Sequence, residues 1–369
     1  MNLLKNIATI GSGQNAPQEE SEYSVLGKTF IKVSNLDDII QDQNESRACK
    51  ITADAINKNK LKLYPKNTII FAKSGLSCVK NRVYLTKDDS YIVNHLCTIS
   101  NIKNDYYPKW LLYFIKNYDV TKLIHDESYP SISLKDIGKI EIPEVGLNIQ
   151  ILISNQLDFI IETINKKLVQ LNQLNELVKS RFIEMFDGKY ETKPLNEVCE
   201  ELFAGGDVKK DKSSDVKSDK YPYPIYTNGE KDDGLYGYTS LMRVAKEAVT
   251  ISGRGTIGFT CLRKEPFYPA VRLIVAVPNQ ELINGCYLQH FIQSKNYGGQ
   301  GASIPQLTVP MIKNELIPIP PISVQNEFKQ FVELIDKSKF VCYSKYFLWL
   351  NLTFVSSTIA YSNVVSILE

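Results

Sequence analysis

The sequence predicts an α+β fold made of two similar mixed α/β globular units, each followed by a long helix. Three observations predict it. Short stretches recur in the same order along the 369 residues. A regular apolar seam follows the first set of them. The segments between read as short strands, with β-branched and aromatic runs broken by glycine and proline.

The recurrence begins at the front of each unit. LKNIATIGSG, Leu4 to Gly13, resembles LNEVCEELFAGG, Leu195 to Gly206. TIIFAKSGLSC, ending at Cys78, sits where AVTISGRGTIG sits, which sets Gly75 against Gly255 at an offset of 180. IEIPEV from Ile140 returns as IPIPPI from Ile317 at an offset of 177, after the similar runs LKDIGKIEIP and MIKNELIPIP. IETINK at Ile161 then matches VELIDK at Val332. Each match is weak alone. Four in one order, at offsets between 171 and 191, indicate a duplicated unit of mixed structure followed by a helix.

The first helix is read between Asn148 and Phe186. Leu157, Ile161, Ile164, Leu168, Leu171, Val178, Phe182 and Met185 fall at alternating steps of four and three, with Asn175 at the one polar seam position. That is a coiled-coil seam, in which a single buried Asn fixes register. About 38 residues rising 1.5 Å each make a rod on the order of 57 Å long, suited to a spacer. The second helix starts in the same manner with Val324, Phe328, Phe331 and Ile335. The seam then fails at Ser338, Cys342 and Lys345, and from Tyr346 to Leu368 no residue is charged. Asn and Ser dilute that run too much for a membrane span, and it does not continue a coiled coil. A change of reading frame near Phe340 is one explanation. The boundaries expected are 1–147, 148–187, 188–321, 322–345 for an incomplete second helix, and 346–369 for an atypical apolar tail.

Composition narrows the function. There are 43 basic and 41 acidic residues, a net charge of +2, so any basic binding face is local. Seven cysteines, at 49, 78, 97, 199, 261, 286 and 342, include no C-x-x-C pair, so no metal site and reduced, cytoplasmic thiols are expected. The start, MNLLKNIATIGSG, carries no long apolar run, so no secretory leader is expected. His95, His125 and His290 stand apart and read as structural or solvated.

TISGRGTIGFTC, from Thr250, contains the G-x-G-x-x-G spelling of a dinucleotide turn. Such a turn must open a helix whose N-terminus holds the pyrophosphate. Here FTCLRKEPFYPAVRLIVAV follows, which reads as strands, and no acidic residue stands about 20 positions on. The glycines are read as a tight turn between strands, with Arg254 as a contact at its tip.

The order of repeat unit, IEIPEV, seamed helix ending KSRFIEMF at Phe186, second unit and IPIPPISVQNEF at Ile317–Phe328 resembles the specificity subunit of type I restriction-modification systems. YPYPIYTNGEKDDGLYGYT, Tyr221 to Thr239, resembles a recognition-domain segment of that family. The resemblance covers residues 1 to about 340. It implies two target-recognition domains whose helices pair as an antiparallel coiled coil. It implies a non-catalytic chain that reads a bipartite site on double-stranded DNA and docks methylation and restriction subunits, with no membrane role. S-adenosylmethionine, ATP and Mg are then expected on those partners. The alternatives are a coiled-coil scaffold or a silent cassette without DNA-binding activity.

Under that resemblance the candidate DNA contacts are basic, amide and aromatic side chains on turns. In the first unit they are Lys73, Ser74, Lys80, Asn81 and Arg82. In the second they are Lys209, Lys210, Lys212, Tyr226, Thr227, Asn228, Lys231, Tyr236, Tyr238 and Arg254. The run from Lys209 to Lys220, with five lysines and three aspartates, reads equally as a phosphate grip or a solvated loop. The docking seam is Leu157, Ile161, Ile164, Leu168, Leu171, Asn175, Val178, Phe182, Phe328, Phe331 and Ile335.

Overall fold

The structure, a computed structural model, describes residues 1–188, 190–295, 297 and 306–340. The apolar tail 346–369 and the predicted helix beyond Phe340 lie outside the described residues. The chain falls into two compact units, Met1–Thr163 and Ile164–Glu369.

In the first unit, strands Thr9–Ser12, Leu96–Ser100, Ile69–Ala72 and Val83–Leu85 form an antiparallel sheet in that order. The two inner strands, IIFA and LCTIS, are buried at every position. IIFA is an unbroken apolar run, while LCTIS also buries Thr98 and Ser100, as strands covered on both faces do not alternate. Helix Pro108–Tyr118, opened by proline in its first turn, buries Trp110, Leu111 and Ile115. A second sheet joins Cys49–Ile51, Tyr23–Ile31 and Tyr91–Ile92, and a short ladder pairs Asn2–Leu3 with Glu141–Ile142.

The second unit repeats this plan. Cys199–Ala204, Ile274–Pro278, Ala248–Ile251 and Thr260–Arg263 form the equivalent sheet. Ser213–Ser214, Leu235–Thr239, Tyr223–Tyr226 and Tyr268–Pro269 form the smaller one, and Thr192–Pro194 pairs with Leu316–Pro318. Helix Gly285–Ser294 is capped by Asn284, whose side chain accepts from the Tyr287 N–H.

The glycines at the ends of the two opening repeats mark the same close approach. A Cβ at Gly13 would stand 2.1 Å from the Ile92 carbonyl oxygen, and one at Gly205 would stand 2.1 Å from that of Ala270. Gly13→Ala is expected to cost on the order of 1–3 kcal/mol in urea unfolding, because backbone must move to admit the methyl. Gly146→Ala, where a Cβ meets nothing within 4 Å, is expected to stay within about 0.5 kcal/mol.

Backbone bonds correct the repeat register at the far end. The Leu4 N–H donates to the Ile140 carbonyl at 2.8 Å, and the Leu195 N–H to that of Glu315 at 2.9 Å. Ile140 thus corresponds to Glu315, and the fully buried Ile142 to the fully buried Ile317, at an offset of 175 rather than 177. Strand side chains alternate with period two, so I-x-I-P letters match equally well after a two-residue slip.

Leu147–Phe186 is one continuous helix of 40 residues. It stops at Asp187–Gly188, where the Gly188 N–H turns back to the Phe186 carbonyl. In its second half Leu171, Val178, Phe182 and Phe186 are buried, with Leu174 and Met185 packed partly against them. A second helix, 322–340, buries Phe328, Val332 and Ile335 in the same cluster, with Phe331 half-buried. The Phe328 ring lies 5.3 Å from Phe182 and 5.4 Å from Phe186. The start of one helix meets the end of the other, which is the antiparallel order.

Asn175 is exposed, and Leu174 packs in its place. The steps from 171 to 174, 178, 182 and 186 are longer on average than those of the 3.5-residue heptad, so the polar position rotates outward. Leu157 and Ile164 are half-buried, while Ile161 and Leu168 are exposed. Among the described residues no helix is long and apolar enough to cross a membrane.

Candidate nucleic-acid interface

The site is built where the central strand leaves each main sheet. In the first unit, Ile69–Ala72 runs into Lys73, Ser74 and Gly75. The Lys73 N–H donates to the His95 carbonyl at 3.0 Å, and Lys73 accepts from the Ile132 N–H at 2.8 Å. Ser74 Oγ lies 2.8 Å from His95 Nδ1, and Ser74 also bridges to Ser131. Gly75 turns the chain at φ 74°, a left-handed value that favours glycine. Asn94 donates its side-chain N–H to Asn15 Oδ1 at 2.6 Å. Lys73, Ser74, His95 and Ser131 are thus gathered on loops at one end of a rigid sheet.

The second unit uses the same frame. Ala248–Ile251 runs into Gly253 and Arg254, and the Leu307 N–H donates to the Gly253 carbonyl at 2.9 Å. This is the counterpart of Ile132 on Lys73. A Cβ at Gly253 would lie 2.7 Å from the Leu307 oxygen and 2.8 Å from the Arg272 oxygen, so glycine is required where three loops converge. Asn228 locks a fourth loop onto them. Its Oδ1 accepts from the Gly253 N–H at 2.7 Å, and its Nδ2 donates to the Val271 carbonyl at 3.1 Å. Arg254 donates from Nε and Nη2 to Gln306 Oε1 at 3.3 and 3.1 Å, with its side chain exposed. Arg272, exposed at φ 67°, occupies the place of His95. Equivalent positions therefore carry different chemistry: Lys73 and Gly253, Ser74 and Arg254, His95 and Arg272, Ser131 and Gln306.

The other expected residues divide. Lys80 is exposed, but Asn81 donates to the Lys116 carbonyl at 2.9 Å and Arg82 to Asp37 at 2.6 Å, so both serve the fold. Tyr226 is buried, its ring under the Arg263 guanidinium at 3.6 Å and its hydroxyl on Glu265. Burial pushes its phenol pKa up, and the ring is not at the surface. Thr227 pins the adjoining turn by donating its N–H to the Gly234 carbonyl. Lys231 and Tyr236 are exposed and Tyr238 half-buried, on the turn and strand that follow. Lys209 and Lys212 are exposed, and Lys210 opens a 3₁₀ turn that leads into strand Ser213–Ser214. Of that run Ser213–Ser214 form the edge of the smaller sheet, while 215–220 are exposed bends and turns.

TISGRGTIGFTC is a hairpin. Its two strands pair antiparallel from Ala248–Arg263 to Ile251–Thr260, and a strand follows Gly258. No helix N-terminus is offered to a pyrophosphate there. His290 is half-buried beside Phe182, Phe328 and Cys286, and desolvation there pushes its pKa down, so its ring packs with the core. His125 is exposed and 3.3 Å from Asp136. The sequence reading missed His95, Arg272 and Gln306 at the loop tips. The repeat could have found them, since the sheet register sets His95 against Arg272.

Both units thus present exposed, chemically varied side chains on loops anchored to the same sheet plan. The chain belongs to the type I restriction modification DNA specificity domain family, whose sequence profile matches residues 3–176 and again 188–340. It is similar to a Mycoplasma pneumoniae protein named as a type I specificity subunit, with 28% identity over 276 residues, 71% of this chain and 74% of that one. It is also similar to the specificity subunit of the type I restriction enzyme MjaIX of Methanocaldococcus jannaschii, with 30% identity over 142 residues, 36% of this chain and 31% of the relative. The fold matches the crystal structure of a type I restriction-modification S subunit from M. genitalium, with TM-score 0.56, 16% identity, and 97% and 93% of the two chains covered. It matches equally a chain from work on the assembly and conformational transition of the type I system, with TM-score 0.57, 15% identity, and 94% and 93% covered.

Proposed function

We propose that this chain is the DNA-reading subunit of a type I restriction-modification complex. Each unit reads one half of a bipartite target on double-stranded DNA, and the helices serve as spacer and as docking surface for methylation and restriction subunits. Methyl transfer and ATP-driven cutting, with S-adenosylmethionine, ATP and Mg, belong to those partners. The observation that carries the reading is the loop frame presented twice with different side chains. A constant frame with Lys73, Ser74 and His95 in one copy and Arg254, Arg272 and Gln306 in the other suits two different half-sites.

The roles follow from the chemistry. Arg and Gln reach base edges through paired hydrogen bonds, and a lysine attracts phosphate as a point charge. Lys73 is assigned to phosphate, and Arg254 with Gln306 to bases. The test is binding of a methylation-subunit complex to random duplex pools across salt concentrations. Selective retention of a subset of sequences at about 0.15 M salt is expected, with log affinity falling by about 0.9 per phosphate contact for each log of salt. Retention without sequence preference would favour a coiled-coil scaffold.

A further inference from the structure

We infer that Gln150 and Gln325 are the joints that hold each long helix on its own globular unit and so keep the gap between half-sites single-valued, a role that rests on the bipartite reading above. Gln150 is fully buried in the first turns of helix Leu147–Phe186. Its Oε1 accepts from the Tyr107 N–H at 2.7 Å. Its Nε2 donates to the carbonyls of Asp105, at 3.0 Å, and Val145, at 2.6 Å. Gln325, fully buried in the first turns of the second helix, repeats all three bonds. Its Oε1 accepts from the Asn284 N–H at 2.9 Å, and its Nε2 donates to Leu282 at 3.0 Å and Pro320 at 2.8 Å.

The partners are equivalent one by one. Tyr107 and Asn284 are the N-cap residues of helices Pro108–Tyr118 and Gly285–Ser294. Their amides are among those a helix leaves without an internal partner. Asp105 and Leu282 stand two residues before those caps, and Val145 and Pro320 five residues before the glutamines. Each side chain therefore fastens three segments at one point: the linker, the start of the globular unit's helix, and the start of the long helix. Only a primary amide supplies two N–H donors and an acceptor in this fork. Glutamate has no donors and brings a charge, and methionine has the length without the polar atoms. A filler of the core needs no such match, and two units with little sequence in common would not both keep it.

The test uses Q150M and Q325M in the assembled complex with its methylation partner. Two readouts are taken: hydrogen exchange at the Tyr107 and Asn284 amides, and methylation mapping of a genome. Loss of one acceptor is expected to raise exchange about tenfold at Tyr107 in Q150M and at Asn284 in Q325M, each leaving the other joint unchanged. Methylated sites are expected to keep both half-site sequences while the gap spreads from one length to neighbouring lengths. Unchanged exchange would overturn the joint, as would an altered half-site with the gap still single. A wild-type complex that methylates one uninterrupted site would instead defeat the bipartite reading, and the exchange data would still decide the joint. Should one variant fail to fold, the other carries both readouts for its own unit.

Discussion

Phe328→Ala is expected to lower the stability of the second unit by about 3–5 kcal/mol in urea unfolding, the largest effect of any single truncation considered. Phe328 is fully buried, and its ring lies against Phe182, Phe186 and His290 at 5.3, 5.4 and 5.0 Å. Edge-on contacts of this kind add to the area each ring removes from water. Removing the ring leaves a cavity in a cluster that Phe328 shares with Tyr287 and Val178. Leu334→Ala, at the residue before the buried Ile335 but largely exposed, is expected to stay within about 0.5 kcal/mol. Equal effects at the two positions would mean that the helices do not pair through this face.

Arg254→Ala is expected to weaken DNA binding by about 1–3 kcal/mol, or roughly 5- to 150-fold, with stability unchanged. Its guanidinium is exposed and, among the described residues, its hydrogen bonds go to the neutral Gln306. The loss should fall on the half-site read by the second unit alone. Arg254→Lys separates the two kinds of contact. A lysine keeps the attraction for phosphate but cannot make the two-pronged contact with a base, so it should not restore binding. Full recovery with lysine would reassign the residue to phosphate.

Much of this was legible in the letters. The duplication and the long helix were, because apolar spacing and glycine positions survive when side chains diverge. TISGRGTIG was legible as a hairpin because Phe259, Thr260 and Cys261 suit a strand. What was not legible had physical causes. The strand at Ile140–Ile142 slipped by two residues because alternation looks the same after that shift. Asn175 was placed in the seam by a 3.5-residue count, whereas the packed face runs through Leu171, Leu174, Val178, Phe182 and Phe186, at longer average steps. Asn81 and Arg82 look like DNA ligands as letters, but the fold turns them toward Lys116 and Asp37. His95 was read as structural or solvated and Gln306 drew no attention, because loop side chains carry no periodicity. Gln150 and Gln325 were hidden in apolar surroundings that read as helix starts.

The most direct measurement is methylation mapping of a genome carrying the partner subunits, with and without this chain. The account predicts modified sites that appear only with the chain and consist of two short sequences separated by a fixed, unread gap. Modification that is independent of the chain, or confined to one uninterrupted sequence, would contradict it.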